Sequence, residues 1–286
     1  MVPASSPQPC PMLRYPGEIE ITNMVDFRPR WRPGHRAVAY VHLAQSEEDL
    51  RQHGFRSIWT FDLSTNQKQY VCEGWMAEWA PTGESLLVTR KVEAGHFTAW
   101  QVEHSDRTDR QLTPDSVRTI DGCWSPDGGH VALTAVTDSG VWIQILDLQT
   151  GARTSLVHGA SPSWSPDGQW IAYGPGVRLI RVANPDSTSV LLDDTSASPI
   201  GWSRNSRFVF AAAREGRVSA CVKLDIVTNA REVIHAGIAD AALSPSEDET
   251  VFSAIVAMTG DNVLLALAPD GSWLQITAAA DYRSEQ

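Results

Sequence analysis

Five tryptophans and one leucine, spaced almost evenly along the chain, restrict what it can fold into more than any other feature. Trp124–Gly128 and Trp164–Gly168 both read Trp-Ser-Pro-Asp-Gly, and degenerate forms start at Trp31, Trp79, Trp202 and Leu243. These anchors stand 48, 45, 40, 38 and 41 residues apart. A period of about 40–45 residues built from short strands is that of propeller blades. An all-β, six-bladed β-propeller of four-stranded antiparallel blades is therefore expected over 18–278. An N-terminal extension (1–17) would precede it and a C-terminal tail (279–286) would follow.

Residues 120–158 show the unit. Ile120–Trp124, His130–Ala135, Val141–Leu148 and Thr154–Val157 each have the short, alternating pattern of a strand. Between the first two, Pro126 presets φ, Asp127 suits the third turn position and Gly128 accepts the left-handed conformation that closes the turn. Asp127 and Asp167 are read as caps of their own turns rather than as a catalytic pair. Helical periodicity is confined to Ser46–Gly54, where Ser46 can cap, Asp49 takes the reciprocal capping position and Gly54 can terminate. The segment Glu18–Thr22 resembles a fourth strand and is expected to pair with the last blade, which would hide open sheet edges.

The net charge of −11 argues against nucleic acid or an anionic membrane as the main partner, and no Lys/Arg cluster opposes it. No apolar run is long enough to cross a bilayer, and the first residues lack a secretory pattern, so cytoplasmic residence is expected. Cys10, Cys72, Cys123 and Cys221 fit no metal-binding spacing and are read as free thiols. Gly-x-Ser-x-Gly, phosphate-loop and His-Glu-x-x-His motifs are missing.

The Trp-Ser-Pro-Asp-Gly phrase followed by an apolar strand such as Ile171-Ala172-Tyr173 resembles the WD-like repeats of the TolB C-terminal propeller. Similar repeats occur in the propellers of prolyl-oligopeptidase-type enzymes and of oligogalacturonate lyases. The resemblance spans about nine tenths of the chain. It implies a disc whose ligands meet the loops of one face, here called the top, opposite the Ser-Pro-Asp-Gly turns. Oligogalacturonate lyases carry histidines around a channel metal. Their ligands match no residue set here, so neither a metal nor a cofactor is assigned.

Two functions follow as expectations. One is a scaffold that binds a protein or peptide through the top face, where His42, Trp75 and His96 are candidate contacts. The other is a lyase or hydrolase acting on a small polar molecule, with His158, His235, Asp121 and Asp240 as acid/base candidates at the channel. Comparison of inner-strand positions adds Arg28 and Arg30. One and three residues before each anchor lie on the same side of a strand. This arrangement predicts Asp240 beside Arg28 and Glu78 beside Arg30, with a structural role for both arginines preferred over anion binding.

Overall fold

The fold is that of a computed structural model. Within 26–275 it describes the backbone except for residues 36, 45, 63–64, 66, 216–217, 237, 245–250, 258–261 and 268–272; side chains are described within 30–214 and 220–234. Strands pair in chain order into four-stranded antiparallel sheets. The first comprises β1 (Asp26–Trp31), β2 (Ala37–Leu43), β3 (Arg56–Asp62) and β4 (Gln67–Glu73). The second comprises β5 (Met76–Trp79), β6 (Ser85–Lys91), β7 (Phe97–Glu103) and β8 (Asp109–Gln111). The third is β9 (Arg118–Trp124), β10 (His130–Thr137), β11 (Gly140–Asp147) and β12 (Arg153–His158). The fourth runs from β13 (Ala160–Trp164) to β16 (Asn184–Leu192), and the fifth from β17 (Ser198–Trp202) to β20 (Arg231–Ala236). First strands lie side by side at the centre, β1 against β5, β5 against β9, β9 against β13 and β13 against β17.

The expectation of six complete blades is corrected at this point. Five blades are described with their side chains. Strands β21 (Ile238–Ser244) to β24 (Trp273–Gln275) form a further sheet, described by backbone alone, with β21 beside both β17 and β1. This is the repeat whose anchor is Leu243, in the phrase Leu-Ser-Pro-Ser-Glu, so its sequence lacks both devices of blades three to five, the anchor tryptophan and the Ser-x-Asp/Asn turn. Glu18–Thr22 lies outside the described residues.

Those devices are local. Ser125 is buried, its hydroxyl donates to Asp127 (2.5 Å), and it accepts from the His130 amide (2.9 Å). Asp127 also accepts from the Gly129 amide at 2.9 Å, and Gly128 has φ +72°. Ser165 and Asp167 repeat the pattern, and Ser203 with Asn205 keep it in a degenerate phrase. Both aspartates are thus turn caps. Three of the anchor indoles act between blades. Trp79 Nε1 donates to the Arg30 carbonyl (3.1 Å), Trp124 to that of Glu78 (3.2 Å) and Trp202 to that of Ser163 (2.9 Å). Each pins the residue just before the preceding anchor. Trp164 departs from the rule, donating to Gly168 of its own turn at 3.2 Å.

The turns between third and fourth strands use an aspartate whose carboxylate collects amides. Asp225 accepts from Val227 and Thr228 and pairs with Arg207 (2.8 Å). Arg207, and then those amides, hold its carboxyl far below the usual range. With the folded pKa depressed, the stabilisation is complete above the unfolded pKa and is lost as pH falls through the folded one. Asp225→Asn should therefore cost most at neutral pH, with the gap to the parent narrowing below about pH 4. Urea unfolding at pH 7, 4 and 3 reads this, and a gap that stays constant would contradict it.

Candidate functional site

The first strands enclose a central cavity of about 350 Å³. Arg30, Glu78, Cys123, Ser163 and Gly201, one residue before their anchors, line it, as do Met76, Asp121, Ser161 and Pro199 two residues earlier. Side-chain alternation along a strand explains why both positions face inward. The lining is uneven. Charged groups come from blades one to three, whereas blades four and five offer serine, proline and glycine.

Arg30 Nε donates to Glu78 Oε2 at 2.6 Å, with both side chains about one quarter exposed (25% and 29%). Burial raises the Glu78 carboxyl despite the opposing pull of Arg30. Burial, and secondarily Glu78, also pushes the Cys123 thiol up, so it is held as the neutral thiol. Asp121 is fastened across the seam between blades three and four. It accepts from the Thr134 hydroxyl and from the Ser161 hydroxyl (3.3 Å), and the Ser161 amide donates to Thr134 Oγ1 (3.0 Å). Ser161 holds a left-handed φ of +53°, the region where a non-glycine residue is uncommon.

His158 is not brought to this cavity. It ends β12, the outermost strand of its blade, and stacks on Trp142 with ring centroids 3.6 Å apart. A residue just before the next inner strand in sequence still sits at the rim, because it belongs to the outermost strand of its own blade. The side chains of His235, Asp240 and Arg28 lie outside the described residues. Of the four acid/base candidates, Asp121 is the one described in the cavity.

The top face is built differently. Helix α1 (Glu47–His53) joins β2 to β3; Ser46 Oγ accepts the Asp49 amide (3.1 Å), and Gly54 ends it at φ +79°. The Asp49 carboxylate does not complete a capping box. It bridges His42 Nε2 (2.9 Å) and His53 Nδ1 (3.0 Å), tying a helix with no buried residue to the blade. His42 and His53 both pack edge-on against Trp59. His96 bonds to the Asp115 carbonyl at 2.5 Å. Trp75 is half-buried, with the Arg56 guanidinium 3.8 Å from its ring centroid. Phe97 lies 4.7 Å and Phe55 6.4 Å from the same ring. Phe55 is 59% exposed. Phe55 and Phe97 were not among the sequence candidates, although both stand at the top of a third strand, level with Trp75. Among the described residues, no group of three His, Cys, Asp or Glu side chains is placed to hold a metal ion, and no helix is long and apolar enough to cross a membrane.

No family model matches the chain. An uncharacterized protein of Agrobacterium fabrum is 31% identical over 98 residues, which is 33% of this chain and 33% of that protein. The chain thus matches about a third of that relative's length. TolB from Acinetobacter baumannii superposes with a TM-score of 0.60 at 24% identity, covering 72% of this chain and 53% of TolB. A TolB-type structure from Agrobacterium tumefaciens gives 0.61 at 16% identity, covering 88% of each chain. An oligogalacturonate lyase in complex with manganese gives 0.62 at 10% identity, covering 90% of this chain and 77% of the lyase. At these identities the likeness is one of fold: the chain folds as a β-propeller similar to that of TolB.

Proposed function

We propose that the protein is a binding scaffold whose top face receives a protein or peptide. The observation that supports this reading is the continuous aromatic surface Phe55–Trp75–Phe97 at the seam between blades one and two. Rigid rings at a partly exposed seam are the kind of anchor on which interfaces concentrate their energy. Free Cys72, Cys123 and Cys221 fit a reducing, cytoplasmic setting, which belongs to the same proposal. A photoreactive amino acid placed at Phe55 on the top face, and in a second variant at Asn205 in a bottom turn, tests it in the native host. Protein adducts formed from position 55 and not from 205 are expected. Adducts from neither position, or equally from both, would remove the top-face assignment.

A channel enzyme acting on a small polar substrate is the second reading, favoured by the placement of Asp121 and Ser161 in the cavity. It requires a second acid/base group beside them, and His158, at the rim, does not supply one.

A further inference from the structure

We propose that the Phe55–Trp75–Phe97 surface selects an extended partner segment in which an apolar or aromatic side chain is flanked by lysine or arginine. This rests on the scaffold reading above and names the chemistry of its partner.

Three observations carry the inference. First, the three rings form one unit across two blades. Phe55 opens onto β3, Trp75 sits in the crossover to β5 and Phe97 begins β7, so a single inserted side chain would touch both blades. Second, the surrounding charge is unbalanced. Glu47 on α1, Glu73 at the end of β4 and Glu93 in the turn before β7 are exposed, and among the described residues none of the three is in an ion pair; the exposed cations described on these two blades' top edge are Lys91 and Arg51, and Arg51 is paired with Glu48 at 2.9 Å. The Glu73 carboxylate lies against Gly54, so closely that a Cβ built there would stand 2.5 Å from its Oε1, and Gly54 directly precedes Phe55. An acid and the most exposed ring of the surface are therefore neighbours. Third, the surface already accommodates a guanidinium on an aromatic face, that of Arg56 on Trp75. Opposite charge on the whole chain, −11, adds a longer-range attraction for a basic segment, which salt screens.

An acidic or purely apolar segment fits less well. The first would meet Glu47, Glu73 and Glu93 with like charge, and the second would leave those carboxylates unanswered at the rim.

Fluorescence anisotropy with three labelled probes tests the proposal on the full chain: acetyl-Lys-Lys-Phe-Lys-Lys-amide, the same peptide with glutamate for lysine, and the same with serine for lysine. The basic probe should bind at least about tenfold tighter than either other probe. Phe55→Ser, an exposed position whose change leaves the core intact, should weaken it about tenfold. Glu73→Gln combined with Glu93→Gln should weaken it and flatten its salt dependence, while circular dichroism stays unchanged. Equal binding of the three probes overturns the inference. So does tight binding of the basic probe that survives Phe55→Ser, since that is unspecific attraction to an acidic protein. If cross-links form from position 55 and the basic probe has no advantage, the scaffold stands and the partner chemistry fails. If cross-links are absent from the top face, the scaffold reading itself falls.

Discussion

Trp124→Ala is expected to lower the stability of the disc by about 3–5 kcal/mol, the range for truncating a buried aromatic side chain. The indole is 8% exposed and packs with Met76, Leu87, Val131 and Leu133 of two blades. Its removal opens a void and takes from the Glu78 carbonyl the bond that Nε1 donates across the blades. The same change at Trp164 is expected to cost about 1–2 kcal/mol, within the ordinary range for single substitutions. That ring is half-buried and bonds to its own turn, leaving its neighbour blade unpinned. Urea titrations of the two variants compare them directly. Equal losses would show that the indole-to-carbonyl pin is incidental and that burial alone sets the cost.

Glu78→Ala should cost about 2 kcal/mol, because it removes the carboxylate that the partly buried Arg30 guanidinium bonds in the channel. The figure is set below the usual loss for a fully buried pair, since each side chain keeps about a quarter of its exposure (25% and 29%). Arg30→Met combined with Glu78→Leu should recover most of the loss, as an apolar pair has no desolvation to offset. Acidity adds a second signature. Burial raises the folded pKa of Glu78 above its unfolded value, so the parent loses stability as pH rises through that interval. The advantage of the double variant should consequently grow from acid toward neutral pH. A double variant less stable than Glu78→Ala at every pH would assign the pair a packing role that leucine and methionine cannot fill.

Much of this architecture was legible because the repeat acts locally. Ser125 and Asp127 need only a five-residue turn to bond each other, and Ser46 caps α1 within one turn, so short spacing sufficed. The Arg30–Glu78 pair was legible for another reason: equivalent positions in neighbouring blades must meet at the axis. His158 shows the limit of such equivalence. Its place in the repeat sets height along the blade, whereas radial distance depends on which strand carries it. Trp164 was equally illegible, since nothing in Trp-Ser-Pro-Asp-Gly distinguishes an indole that bonds backward from one that bonds its own turn. The Phe55–Trp75–Phe97 surface gathers residues from three segments, and no periodicity joins them.

Helix α1 finally bears on how such a disc can diversify. Blade three closes the equivalent connection, from β10 to β11, with a tight turn around Ser139, so the sheet of blade one has no need of the inserted helix. The helix buries none of its own residues and is moored through the Asp49 bond to His42 and the packing of the His53 ring on Trp59 and Tyr70. A segment of this kind can be lengthened, recoded or exchanged between relatives while the blade beneath keeps its register. Evolution, or an engineer, could therefore rewrite the relief beside Phe55 as a cassette, with folding and recognition varied almost independently.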